Sequence, residues 1–277
     1  MKIFKSIKSF SAWRNKQQNK VIGFVPTMGA LHQGHLSLVQ KSVRICDITI
    51  VTLFVNQLQF APDEDFKNYP RNIKQDIKNL QLQHVDVILI PTNNQMYNQD
   101  FSYCVSEYNL SKNLEGKSRP YFFNGVTTVL CKLFNLVLPQ YVYFGCKDIQ
   151  QLYIVKKMVL DLNYNIKIIG CPTIRESNGL AMSSRNQYLS DQEKNKAALI
   201  YQVLSLAKKS IQEEQKKIAE IKNEMSSKLL NNNFKIEYVS IADAATFKEI
   251  NQYKKSHTII SLAVFYKNVR LIDNILI

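Results

Sequence analysis

Residues 21–35 read VIGFVPTMGALHQGH, and the fold follows from how this stretch is read. Residues 21–26 are an apolar run of strand length. Pro26-Thr27-Met28-Gly29 breaks the run, and Leu36, Val39 and Val43 then recur at helical spacing. The expectation is a strand, a tight turn and a helix. His32 and His35 lie three apart around Gly34 where the helix begins, so they share a face. Unpaired N–H groups and a partial positive charge make a helix N-terminus attractive to phosphate. A neutral imidazole there can donate to a phosphoryl oxygen, and a charged one binds it more strongly. Taken alone, the pair also fits an ordinary βα turn with two surface histidines. A metal site would need a third ligand, and the chain offers none arranged for it.

Working outward, residues 34–46 read as the first helix and 48–54 (ITIVTLF) as a second strand rich in β-branched residues. Two strands flanking one helix form a βαβ unit, parallel and right-handed. Residues 72–83 carry Ile73, Ile77 and Leu80 at helical spacing, 85–90 (VDVILI) form a strand, and 101–105 read as a short extra strand. A helix over 126–137 stops at Pro139; a strand at 141–144, a helix at 149–160 and a strand at 166–169 follow. This alternation predicts an α/β fold, a Rossmann-like doubly wound parallel sheet, which binds ligands at the carboxyl ends of its strands. After Pro172 the pattern changes. Helices over 191–208 and 211–230 and strands over 234–241, 258–265 and 269–275 predict a smaller C-terminal α+β domain. The expected division is 1–173 and 174–277.

Composition narrows the function. No apolar run reaches the roughly 18 residues of a membrane span, and the basic N-terminus lacks the apolar core of a signal peptide. A cytoplasmic location is expected. The five cysteines are odd in number and form no CxxC pair, which points away from disulfides and zinc. A net charge of +14 admits a nucleic-acid partner. The lysines are spread among abundant Asn, Gln and Ile, however, as in the product of an AT-rich genome, and we expect no nucleic acid.

The string PTMGALHQGH resembles the PTMGALHxGH signature of the pantothenate synthetase (pantoate–β-alanine ligase) family, a variant of the HIGH motif of nucleotidyltransferases. FVNQLQF at 54–60 resembles the family's FVNPxQF, with Gln57 in place of proline. DFKNYPRNIKQD at 65–76 and EGKSRPYFFNGV at 115–126 resemble two further segments; Tyr121 and Phe122 stand where the family has Gly and His. FGCKDIQQ at 144–151, MSSRN at 182–186 and LIDN at 271–274 complete the likeness, which spans nearly the whole chain.

The resemblance implies an ATP-dependent ligase that condenses pantoate with β-alanine through a pantoyl adenylate, giving pantothenate, AMP and pyrophosphate. It implies ATP binding by Met28, Gly29, Ala30, Leu31, His32, Gln33, Gly34, His35, Gly145, Cys146, Lys147, Asp148, Ile174, Met182, Ser183, Ser184 and Arg185. His32, His35, Lys147 and Arg185 are the implied catalytic set, with His35 as proton donor. Gln59, Gln151 and Asn56 would bind pantoate, Gln59 would also meet β-alanine, and Asp76 would assist magnesium or nucleotide. Arg119 is suited to meet a phosphate bidentately. Mg2+ would ride on the ATP phosphates rather than in a protein cage. Gly179 would hinge a closing lid, and a homodimer follows from the family's habit. The rival expectation is another HIGH-type adenylyltransferase acting on a different small acid.

Overall fold

The apolar runs at 22–27 and 48–53 become neighbouring parallel strands at the centre of a sheet, because their β-branched residues pack on both faces. The structure is a computed structural model and describes residues 1–62, 64–214 and 216–277. In chain order the first part contains β1 (Lys2–Phe4), α1 (Ile7–Arg14), β2 (Ile22–Thr27), α2 (Gln33–Val43), β3 (Ile48–Leu53), α3 (Ile73–Leu82), β4 (Val87–Leu89), α4 (Asn93–Met96), α5 (Glu115–Ser118), α6 (Phe122–Val137), β5 (Tyr141–Gly145), α7 (Ile149–Asp161) and β6 (Lys167–Cys171). The six strands pair in the order β1-β4-β3-β2-β5-β6, and every pair is parallel.

The strand order reverses between β2 and β5, which makes their carboxyl ends the topological switch point where such sheets take ligands. Val25, Val51, Ile88 and Tyr143 are buried with Leu36 and Val39 of α2 and Leu80 of α3. Each such aliphatic side chain contributes about 1.5–3 kcal/mol by leaving water.

The N-terminal strand and helix were not foreseen. β1 is only three residues long and adds to the sheet edge beside β4. Arg14, at the end of α1, is buried and donates to the carbonyls of Val137 (2.6 Å) and Leu138 (2.8 Å), closing the C-terminus of α6. Residues 101–105 form no strand. The N–H of Val105 is bonded to the Thr128 hydroxyl and its carbonyl to the Thr127 hydroxyl, so α6 side chains take the place of a ladder.

The chain divides into two compact units: Met1–Tyr108, Arg119–Cys146 and Gln151–Pro172 form one, and Asn109–Ser118, Lys147–Gln150 and Thr173–Ile277 form the other. In the second unit, β7 (Lys235–Asp243), β8 (Thr258–Tyr266) and β9 (Val269–Leu276) form an antiparallel sheet of order β7-β8-β9. It shares a core with α9 (Leu199–Gln212) and α10 (Ile218–Leu230), through Val203, Leu204, Ile221, Met225, Leu262 and Val264. α8 (Asp191–Ala197) is separate from α9, whereas the sequence reads as one helix over 191–208. The chain tightens at Ala198, where Tyr201 N–H bonds its carbonyl, with no Pro or Gly to announce the break. Gln215, placed by the sequence inside the second helix, lies outside the described residues.

Candidate active site

The turn after β2 is held both by its own residues, with the Gly29 N–H bonded to the Thr27 hydroxyl at 3.2 Å, and from α3. Gly29 (φ +82°) and Ala30 (φ +49°) are both left-handed. The buried Asp76 carboxylate, in the first turn of α3, accepts the N–H groups of Ala30 (2.9 Å) and Leu31 (2.8 Å). Burial raises the Asp76 carboxyl above its ordinary value, and the two backbone donors pull it back in part. A Cβ on Gly29 would come within 3.1 Å of this carboxylate, so glycine meets both the conformation and the space. The sequence suggested a magnesium or nucleotide contact for Asp76; in the structure the carboxylate clamps the turn.

His32 is the N-cap of α2, and its Nδ1 accepts the Gly34 N–H at 3.1 Å. His35 Nδ1 in turn accepts the His32 N–H at 3.4 Å, so two imidazoles make the reciprocal cap usually built from Ser or Thr and Glu. A ring nitrogen that accepts carries no proton. Each neutral ring therefore holds its hydrogen on Nε2, the nitrogen turned away from the capping bond. The rings lie 4.1 Å apart and 36° inclined. The sequence identified both histidines but not their mutual bond.

An amide network stands beside the turn in the same unit. Gln59 Nε2 donates to Met28 Sδ at 3.1 Å, and its Oε1 accepts from Asn56 Nδ2 at 3.0 Å. Asn56 is buried; Nδ2 also donates to the Gly125 carbonyl, and Oδ1 accepts from Leu58 N–H and the Tyr97 hydroxyl. Both donors and both lone pairs are thus used, which leaves Asn56 to act through Gln59. Burial pushes the Tyr97 hydroxyl well above its ordinary value, keeping it a donor. Gly125 lets α6 press on this turn: a Cβ there would meet Leu58 O at 2.2 Å and Gln59 N at 2.7 Å. Arg119, read from sequence as a phosphate ligand, is engaged in a two-pronged bond to Glu64, donates to the Gln59 carbonyl at 3.1 Å and stacks on Phe122. Gln151 is half-buried in the first turn of α7.

Most of the remaining polar segments fall in the second unit. Cys146, the last residue of its segment in the first unit, opens a 3-10 turn that runs to Asp148, and Lys147 pairs with Asp148 at 3.7 Å. Burial raises the Cys146 thiol, which makes it a poor nucleophile at neutral pH. Buried Gln150 accepts the Glu115 N–H and donates to the carbonyls of Leu110 and Asn113, pinning residues 109–118 to the start of α7.

Ile174 and Met182 face each other across a small hairpin, with Met182 N–H bonded to the Ile174 carbonyl at 3.0 Å and Gly179 at the bend with φ +97°. Arg175 grips this hairpin. It donates to the Gly179 carbonyl, makes a two-pronged pair with Asp273 at 2.6 and 3.0 Å, and stacks on Tyr201. The sequence suggested a hinge at Gly179; in the structure it is a pinned bend. The sequence also missed Arg175, although Arg175 and Asp273 both lie close to or within the quoted motifs. Ser183 caps the 3-10 turn Ser184–Tyr188 by accepting the Arg185 N–H, and buried Asn186 ties that turn back to Glu176 and Ala181. Ser183, Ser184 and Arg185 remain half-exposed.

Met28–His35, Asn56 and Gln59 thus meet within one unit, and Lys147, Asp148, Ile174 and Met182–Arg185 belong to the other. Among the described residues, no group of three or more His, Cys, Asp or Glu side chains is placed to hold a metal ion, and no helix is long and apolar enough to cross a membrane.

The pantoate-beta-alanine ligase family model matches residues 2–276. The chain is 46% identical to the pantothenate synthetase of Caldicellulosiruptor bescii over 263 residues, covering 95% of this chain and 93% of that protein. It is 44% identical to that of Thermosipho melanesiensis, covering 100% and 99%. Among solved structures, the pantothenate synthetase of Thermus thermophilus superposes with a TM-score of 0.93 at 37% identity, covering 100% and 99%. The pantoate-beta-alanine ligase of Francisella tularensis, complexed with beta-gamma ATP and beta-alanine, gives 0.84 at 37%, covering 100% and 97%. The chain belongs to the pantoate-beta-alanine ligase family.

Proposed function

We propose that this enzyme condenses pantoate with β-alanine at the expense of ATP, by way of pantoyl adenylate. A carboxylate is a poor acyl donor because its leaving group would be oxide. Attack of a pantoate carboxylate oxygen on the α-phosphorus of ATP forms a P–O bond and breaks the bond to the β-phosphate, releasing pyrophosphate. The free amine of β-alanine then attacks the acyl carbon, the C–N bond forms, and AMP leaves with the carboxylate oxygen. Both nucleophiles come from substrates, so the protein's tasks are positioning and charge stabilisation.

The observation that carries this reading is the paired imidazole cap on α2, beside the switch point, in which the capping bonds take Nδ1 of each ring and leave the hydrogen on Nε2. We assign these Nε2–H donors to the α- and β-phosphates, with His35 donating its Nε2–H hydrogen bond to the departing pyrophosphate oxygen as negative charge builds there. Met28–Leu31, Gln33 and Gly34 line the nucleotide with backbone, as do Gly145, Cys146 and Ile174. Lys147, Ser183, Ser184 and Arg185 take the phosphates, Asp148 the ribose, and Met182 the base side. Gln59 and Gln151 hold pantoate, Asn56 orients Gln59, and Gln59 also meets β-alanine. ATP enters as its magnesium complex. In this reading residues 1–173 bind nucleotide and pantoate, and 174–277 serve as a lid. A homodimer in the cytoplasm completes the proposal on the family's pattern.

The test is pyrophosphate release from ATP with pantoate, with amino acids or with nicotinate mononucleotide as acceptor. Release with pantoate alone supports the reading; release only with another acceptor favours a different adenylyltransferase.

A further inference from the structure

Adjacent residues of a β-strand point to opposite faces, so a two-residue step can hold two separate segments at once. β9 does this at Asp273-Asn274. Asp273, buried, pairs with Arg175 and so grips the hairpin that leads into Ser183–Arg185. Asn274 Nδ2 donates to the Lys147 main-chain carbonyl at 2.7 Å. The Asn274 N–H is itself bonded to Asp273 Oδ1 at 2.8 Å, which locks the step. Antiparallel pairing with β8, at Asp273↔Leu262 and Asn274↔Ser261, fixes the strand beneath it. Arg270, on the same strand, pairs with Glu115 and Glu237; burial lowers its guanidinium and the two carboxylates overcome this, raising it above the ordinary value.

We propose that Asn274 is a positioning residue for Lys147, setting the Lys147 turn in register with the Ser183–Arg185 loop as one phosphate clamp. The inference rests on the assignment of Lys147 to the ATP phosphates. A lysine side chain is long and flexible; fixing its main-chain carbonyl fixes the direction in which Cβ leaves. A misplacement of about 1 Å can cost on the order of 100-fold in rate. Nothing in fold stability alone would direct such a loss to one substrate.

The experiment is a double-mutant cycle on the pyrophosphate-releasing half-reaction, with Asn274→Ala, Lys147→Ala and the double variant. Thermal melting verifies folding. Asn274→Asp, which keeps the size but replaces the donor with a carboxylate oxygen, serves as a second variant should the alanine variant not fold. Asn274→Ala is expected to lower kcat/KM for ATP about tenfold, the equivalent of one ordinary hydrogen bond. KM for pantoate should hold within about twofold, and in the Lys147→Ala background the ATP effect should largely vanish. An equal loss in both backgrounds overturns the proposal, as does a loss shared by ATP and pantoate. If Lys147→Ala leaves kcat/KM for ATP unchanged, the assignment of Lys147 fails first and this inference falls with it.

Discussion

His35 Nδ1 accepts the main-chain N–H of His32, so the second imidazole of the motif completes the cap that the first begins. This fixes which ring nitrogen bears hydrogen. Nitrogen-15 NMR is expected to find the neutral form of each ring as its Nε2–H tautomer. His35→Ala is expected to fold and to lose about 100- to 1,000-fold in adenylate formation, the usual cost of one transition-state donor. Near-normal turnover would remove His35 from its role.

Asp76 is expected to matter without touching substrate. Asp76→Ala removes the acceptor shared by the half-buried Ala30 and Leu31 N–H groups, at about 1 kcal/mol each, and should loosen the turn that carries His32. The pH dependence has a definite sign. Because the folded value is raised, the native state holds this proton more tightly than the unfolded chain. The carboxyl's contribution to stability is therefore greatest at low pH and declines as pH rises through the folded value. Carbon-13 titration should place the Asp76 midpoint above the ordinary aspartate value of about 3.9. A midpoint at or below that value would contradict the burial argument.

Gly125 is the contact point between α6 and the Gln59 turn. Gly125→Ala must move that turn, since its Cβ would otherwise lie 2.2 Å from a carbonyl oxygen. Steady-state kinetics should show the loss chiefly in kcat/KM for pantoate, with ATP affected less. Equal effects on both would mean that the turn serves the whole fold.

Tyr121 occupies a left-handed conformation, φ +74°, at the N-cap of α6 and is largely exposed. The side chain adds strain where the family has glycine. Tyr121→Gly is expected to raise stability by about 1 kcal/mol in chemical denaturation, within the range such strain costs. A destabilised variant would show that the ring makes contacts worth more than the strain.

How much was legible depends on where each signal lay. The strands at 22–27 and 48–53 were readable because β-branched apolar runs end at turn residues. α6 starts at Phe122, four residues before its recognisable periodicity, because an aromatic N-terminus behind a left-handed tyrosine carries no capping signature. The identities of His32, His35 and Gln59 were readable from their string. The roles of Arg119 and Arg175 were not: each is decided by a partner far away in sequence, Glu64 or Asp273, and one-dimensional spacing does not encode that.

Attack of a pantoate oxygen on the α-phosphorus leaves an isotopic record. It is tested most directly by running the complete reaction with pantoate labelled with oxygen-18 in both carboxylate positions, followed by mass spectrometry of the products. One label is expected in AMP, one in the new amide carbonyl and none in pyrophosphate. Unlabelled AMP, with label in a phosphate or pyrophosphate product, would contradict it.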